Sequence, residues 1–126
     1  VISVEVGQRR FLGVGAGSCA LLAAMDPDQS EQVIEAVTPS LRGYPALNTD
    51  SIRRIVAEAR RTGFAVSHGN VVENVIGIGM AIPEPGGVPY LALSVAAVIP
   101  PEGSRAVEGW KQVIRQEMDA VLAAGS

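Results

Sequence analysis

Residues 74–97 read NVIGIGMAIPEPGGVPYLALSVAA, and their reading decides the fold. Two apolar runs flank a segment punctuated by Pro83, Pro85, Gly86 and Gly87. A Gly-Gly pair suits a hairpin turn that needs positive φ. With Gly86 and Gly87 as the two turn residues, Ile82 faces Leu91, Met80 faces Leu93, Ile78 faces Val95 and Ile76 faces Ala97. Strand side chains alternate between faces. This register therefore puts the large aliphatic side chains on one face and Val75, Gly77, Gly79, Ala81, Ala92, Ser94 and Ala96 on the other. The large face needs a core. The small face is a shallow trough with one hydroxyl in it. Something packs closely there, either a helix backbone or a bound small molecule.

Upstream of the hairpin, Val1 to Val6 alternates like an opening strand, and Gly7 to Arg10 reads as a turn. Gly13 to Ser18 is a glycine-rich loop, followed by a short apolar helix over Cys19 to Met25. Asp26-Pro27 restarts a helix with Asp as N-cap and Pro at the first helical position. Its buried side is Val33, Ile34 and Val37. Thr38 to Asn48 holds two prolines and a glycine and reads as a loop. Thr49 or Asp50 caps the next helix, where Ile52, Ile55, Val56 and Ala59 recur at i, i+3, i+4 and i+7 and Gly63 ends it. Phe64 to Val66 follows as a short strand, then Ser67 to Glu73 as a polar loop. Beyond Pro100-Pro101, Ser104 starts a last helix with Val107, Trp110, Ile114, Met118 and Val121 along one side. Glu117 falls inside that stripe. Strands flanking a helical middle, then a hairpin and a packing helix, predict an α+β fold with a mostly antiparallel sheet.

Composition narrows the function classes. At 126 residues the chain makes one domain, 1–126, and with 48% hydrophobic residues it can bury a core. A net charge of −3 argues against direct contact with nucleic acid. One cysteine excludes an internal disulfide and a cysteine-based zinc site, and it fits a reducing compartment. No apolar run approaches the roughly 18 residues of a membrane span, and no signal peptide opens the chain. A start on alternating residues reads as an entry in mid-strand, hence a fragment of a longer protein.

Several groups invite chemistry. Gly13-x-Gly15-x-x-Ser18 resembles a dinucleotide loop, but serine stands where glycine or alanine belongs and no strand completes a βαβ unit. The free N–H groups of Gly15 to Ser18 at a helix N-terminus would welcome a carboxylate; a tight loop that merely lets the helix approach the sheet is the plainer alternative. Cys19 and His68 could form a nucleophile and base. Against that, Cys19 lies in an apolar helix, where cysteine behaves as a small hydrophobe. No carboxylate pair sits at hydrolytic spacing, so no catalytic residue, metal or cofactor is assigned. Arg53, Arg54, Arg60 and Arg61 read as a solvated helix face. Ser94 remains, a lone hydroxyl in the trough.

Three blocks carry a family resemblance: RRFLGVGAGSCALLA over 9–23, IRRIVAEARRTGFAVSHGNV over 52–71 and GIGMAIPEPGGVPYLALSVAAV over 77–98. In order and spacing they resemble the effector-binding domain of IclR-family transcriptional regulators, over essentially the whole chain. Nothing in it resembles that family's N-terminal winged helix-turn-helix, and the opening strands of the family's effector domain are also missing. The resemblance implies a GAF-like, profilin-like fold: a curved antiparallel sheet with flanking helices. It implies a small-metabolite effector, often a carboxylate, in a pocket over the sheet.

By position, the resemblance puts Ala16 and Gly17, Ser67, Val75 and Gly77, and Ser94 and Ala96 around that pocket. The last four already share the small face of the hairpin. Many members carry Asp where this chain has Ser67, some carry Cys where it has Gly77, and a second Ser often stands where it has Ala96. These departures imply a larger and less polar pocket. They point to a bulkier, partly apolar ligand whose polar end meets Ser94 and the amides of Ala16 to Ser18. The resemblance also implies a cytoplasmic repressor or activator that forms homodimers or tetramers and touches DNA only through the missing N-terminal domain. Missing sheet strands would leave an open edge that favours self-association. The rival readings are a Cys19–His68 enzyme and an oligomerisation module that binds no ligand.

Overall fold

The structure, a computed structural model, describes residues 6–99 and 103–124. It is α+β, with three antiparallel strands, four α-helices and a short 3-10 helix among the described residues. In chain order these are α1 (Ala16–Ala24), α2 (Pro27–Val37), the 3-10 helix (Thr38–Gly43), α3 (Thr49–Thr62), β1 (Ala65–His68), β2 (Val75–Ala81), β3 (Ala92–Val98) and α4 (Ser104–Ala124). The strands lie side by side in the order β1-β2-β3.

The hairpin register is the one read from the sequence. Ile76 pairs with Ala97, Ile78 with Val95 and Met80 with Leu93, and the Ile82 N–H donates to the Leu91 carbonyl at 2.8 Å. The turn itself differs. Gly87 N–H donates to Glu84 C=O at 3.1 Å, which puts Pro85 and Gly86 at the two central positions. Pro85 suits the first with its fixed φ, and Gly86, at φ 74°, suits the second. Register survives because size-sorting of the two faces specifies it, whatever turn closes the end.

The two faces meet different partners. Ile76 and Ile78, 2% and 0% exposed, pack with Phe64 and with Val107 and Ile114 of α4. Met118 is also buried, Trp110 half-buried, and Val121 and Glu117 exposed, so the last turn of the stripe runs past the sheet. On the small face lies α1, with α3 and α2 behind it around Leu22, Ile34 and Ile52. Burying each of these large side chains contributes about 1.5–3 kcal/mol.

Helix ends explain most boundary differences. α1 begins at Ala16, three residues earlier than its apolar run suggests, with Gly15 at φ 98° turning the chain into it. Asp26 caps α2 as read, its carboxylate accepting from the Asp28 N–H at 3.1 Å. For α3 the cap is Asn48, not Thr49 or Asp50: Asn48 Oδ1 accepts from Ser51 N and Ser51 Oγ from Asn48 N, both at 2.9 Å. Gly63 at φ 87° ends α3, and β1 starts one residue later than Phe64. The expected loop 38–48 contains the 3-10 helix. Of the expected opening strand, residues 1–5 lie outside the described residues and Val6 sits in a turn.

The arginines of α3 are more engaged than a solvated face predicts. Arg53 Nε donates to Glu31 of α2 at 2.9 Å, and this hydrogen bond holds the Glu31 carboxyl below its ordinary pKa. Arg60 Nε donates at 3.4 Å to the Ala23 carbonyl in the last turn of α1. With both side chains over 40% exposed, the Arg53–Glu31 pair orients α2 on α3 more than it stabilises the fold.

Candidate functional site

The small face of the hairpin is used twice along its length. At Gly79 it is filled by helix backbone. A Cβ at that position would lie 2.6 Å from the carbonyl carbon and oxygen of Ala16 and 2.7 Å from Gly17 N. Two residues back along β2 the packing loosens. A Cβ at Gly77 would stand 2.8 Å from Ser67 Oγ and 3.2 Å from Ala16 Cβ. From there towards Val75 the trough opens into a cavity of about 270 Å³. Both occupants left open by the sequence thus have their place, a helix at one end and a void at the other.

All eight sequence-predicted residues line that cavity: Ala16, Gly17, Ser18, Ser67, Val75, Gly77, Ser94 and Ala96. Three elements bring them together. β2 and β3 pair Gly77 with Ala96 and Gly79 with Ser94, while β1 pairs Ser67 with Gly77. The start of α1 then lies across them. α1 has no side-chain cap, and its first intrahelical bond runs from Cys19 N to Gly15 O at 3.1 Å. The N–H groups of Ala16, Gly17 and Ser18 therefore have no partner within the helix. They carry the positive end of its dipole to the cavity wall.

The hydroxyls differ in their tasks. Ser18 Oγ accepts from Gly13 N at 2.7 Å and so braces the glycine loop, leaving its own proton to donate. Ser67 is buried and Ser94 exposed at the cavity's open side, and neither hydroxyl has a hydrogen bond among the described residues. Both are available to a ligand.

Sequence reading missed part of the wall. Val71 and Val72, half-buried in the β1–β2 connection, line the cavity, as do Val14, Gly15 and Val95. The apolar Val71-Val72 pair inside a polar loop was the available signal. Gln8 and Arg10, from the segment ahead of α1, also line it; nothing in their spacing marks them, because they arrive through tertiary folding alone.

The Cys19–His68 dyad does not assemble. Cys19 is buried on α1, its thiol donating to the Gly13 carbonyl at 3.4 Å, and burial pushes its pKa up to about 12. His68 alternates with Ser67 along β1, so it belongs to the opposite face of the sheet, and it is exposed. The Cys19 thiol is expected to resist iodoacetamide at pH 8 in the folded protein and to react fully in denaturant. Alkylation of the native protein at the rate of a free thiol would contradict this burial. Among the described residues no group of three or more His, Cys, Asp or Glu could hold a metal ion, and no helix is long and apolar enough to cross a membrane.

An antiparallel sheet with a helix start laid over a glycine trough and a cavity beside it defines an α+β binding domain. The chain matches the model of the bacterial transcriptional regulator IclR C-terminal family over residues 1–107, and it belongs to that family. Solved structures share the fold. An IclR transcriptional regulator from Alicyclobacillus acidocaldarius is 23% identical, with a TM-score of 0.80 over 97% of this chain and 49% of that one. The Thermotoga maritima IclR is 18% identical, with a TM-score of 0.80 over 94% and 48%. An IclR homolog from Microbacterium hydrocarbonoxydans, complexed with 4-hydroxybenzoate, is 24% identical, with a TM-score of 0.72 over 94% and 47%. The chain spans about half the length of these proteins. No curated protein matches it significantly.

Proposed function

We propose that this domain is the effector-binding part of an IclR-type transcriptional regulator and that it binds, in the cavity beside α1, a small organic acid with an apolar body. The observation that carries the reading is the pairing of three uncapped helix amides with a wall of Val71, Val72, Val75, Gly77 and Ala96. Such a wall takes an apolar body, and the amides take a carboxylate. A volume of about 270 Å³ lies just below the ~300–1,000 Å³ of drug-sized pockets, which suits one ring or a short branched chain. The homolog bound to 4-hydroxybenzoate agrees in ligand class.

In this reading the protein acts by binding and not by turnover. It is cytoplasmic, self-associates, and reaches DNA through a separate domain. Effector binding shifts how the domain packs with its partners, and that shift is what the DNA-binding part senses. Ser67 and Ala96 stand where larger or more polar side chains would narrow the cavity, so ligands bulkier than two- or three-carbon acids are favoured; over Gly77 the space is already taken by Ser67 Oγ and Ala16.

A thermal-shift screen against aliphatic and aromatic carboxylates tests this, with Ser94→Val as control. A ligand at 100 times its Kd adds about 2.7 kcal/mol, worth several degrees here. A shift that weakens in Ser94→Val is the expected result. A clear preference for two-carbon acids would overturn the size argument. No shift with any acid would favour an interaction module instead, for which Val95, Val98 and Val113, all exposed, supply the apolar surface.

A further inference from the structure

We infer that the tip of the β2–β3 hairpin docks into a groove on a second copy of this chain, tip and groove together forming a two-fold contact. The inference does not need the effector reading, and it names the surface behind the self-association proposed above. The tip, residues 83–91, carries Val88, Tyr90 and Leu91, exposed by 54%, 68% and 52%. Large apolar groups this open on one short segment mark a contact surface. The tip is also pre-shaped. Pro83, Pro85 and Pro89 fix three of its φ angles, and the bond from Ile82 N–H to Leu91 C=O at 2.8 Å closes its base. A rigid segment loses little conformational entropy on binding.

At the same end of the sheet lies a groove of about 520 Å³, between the last turns of α1 and α3 and the second half of α4. Its floor is apolar, with Ala20, Ala59, Met80 and Met118. The alanines leave space, and methionine side chains adapt to what fills it. Pro83 and Pro89 form one wall, so the tip stands at the lip of its own groove. The closed base and the prolines keep it from folding back inside. A second copy's tip can enter, and the adjacency of tip and groove lets one two-fold axis satisfy both at once. Charge agrees with this pairing. Glu84 is the tip's one charged residue, exposed, and its carboxylate has no ion pair or hydrogen bond among the described residues. Among those residues the groove holds Arg60, Arg115 and Asp119. Asp119 stands one turn from Arg115 along α4 and offsets it, and Arg115 lies over the Phe64 ring, 5.0 Å from its centre. Arg60 is left as the groove's net charge. Its Nε donates to the Ala23 carbonyl at 3.4 Å, and a guanidinium keeps further donors for a carboxylate. Glu31, which also feels the charge of Arg60, is already bonded to Arg53. In the dimer Glu84 of each copy meets Arg60 of the other, around a centre of Tyr90 and Leu91. An apolar centre with a charged rim is the usual anatomy of a protein contact.

Sedimentation velocity on the 126-residue chain tests this, with the fold checked by circular dichroism. The wild-type mass is expected to rise with concentration from one chain to two and to stop there. Glu84→Arg and Arg60→Glu each set like charges across both halves of the contact, so either is expected to raise the dimer dissociation constant about tenfold or more. An equimolar mixture of the two variants is expected to dimerise again, because each then meets the opposite charge on the other. A charge that acts only within its own chain cannot be rescued by mixing. Tyr90→Ala is expected to weaken the dimer as well. A mixture that stays monomeric overturns the inference. Charge variants that dimerise like the wild type, while Val98→Lys on the exposed β3 edge does not, move the contact to that edge and leave self-association standing. A wild-type chain that stays monomeric removes both this surface and the self-association. None of these results bears on the cavity, which acid titration decides separately.

Discussion

Gly79→Ala is expected to destabilise this domain by about 3 kcal/mol or more, the largest loss anticipated for any single methyl group in it. The new Cβ would sit 2.6 Å from the Ala16 carbonyl carbon and oxygen and 2.7 Å from Gly17 N. All of these are backbone atoms of the first turn of α1, and no rotamer change relieves them. Either α1 lifts off the sheet or β2 bends away from it. Lifting α1 also pulls its uncapped amides from the cavity, so ligand response is lost along with stability. Chemical denaturation measures the first effect and thermal shift with ligand the second; a fall in Tm of about 10 °C or more is expected. Gly109→Ala is the control. Gly109 lies within α4, and a Cβ there meets nothing within 4 Å. Alanine at that position should stabilise by about 0.5–1 kcal/mol through helix propensity. The same chemical change thus has opposite signs at two glycines. A Gly79→Ala protein within 0.5 kcal/mol of wild type would mean that α1 does not rest on the sheet as described.

The contrast between these glycines shows what was legible in the sequence. Alternation of Gly77 and Gly79 with Ile76, Ile78 and Met80 announced a strand with one bare face, and the bare face announced a close neighbour. Pairing by size then set the register against β3 without help from the turn. Local chemistry was less legible. Asn48 caps α3 through a reciprocal pair with Ser51, and a capping serine in the third helical position, in place of the usual Glu or Gln, is a weak signal beside Thr49 and Asp50. The cavity was half legible. Residues on the strands and the helix start follow from periodicity, whereas Gln8 and Arg10 come from an irregular segment whose path no periodicity encodes. The arginines of α3 show the same limit: helical spacing placed them off the buried stripe, but only packing brings Arg53 to Glu31 and Arg60 to the end of α1.

If a carboxylate is held by the start of α1, deleting one donor there should weaken it without disturbing the fold, and Ala16→Pro does this cleanly. Proline is favoured at the first helical position because it lacks the N–H that has no helical partner and its φ is already helical. The residue before a proline must be extended in ψ, and Gly15, at ψ 158°, already is. Gly77, which faces Ala16, has no side chain to obstruct the ring. Stability is therefore expected to stay within about 1 kcal/mol of wild type. Binding is not spared. Hydrogen bonds to a charged group contribute about 1.5–3 kcal/mol, so affinity for an organic acid should fall about ten- to a hundredfold. The matching amide separates the two causes of loss: the ring's added bulk penalises acid and amide alike, whereas the missing donor penalises the acid more. Titration of Ala16→Pro with benzoate and benzamide decides it. Unchanged benzoate affinity in a folded Ala16→Pro protein would remove the helix amides from the site and leave the anion to the serines.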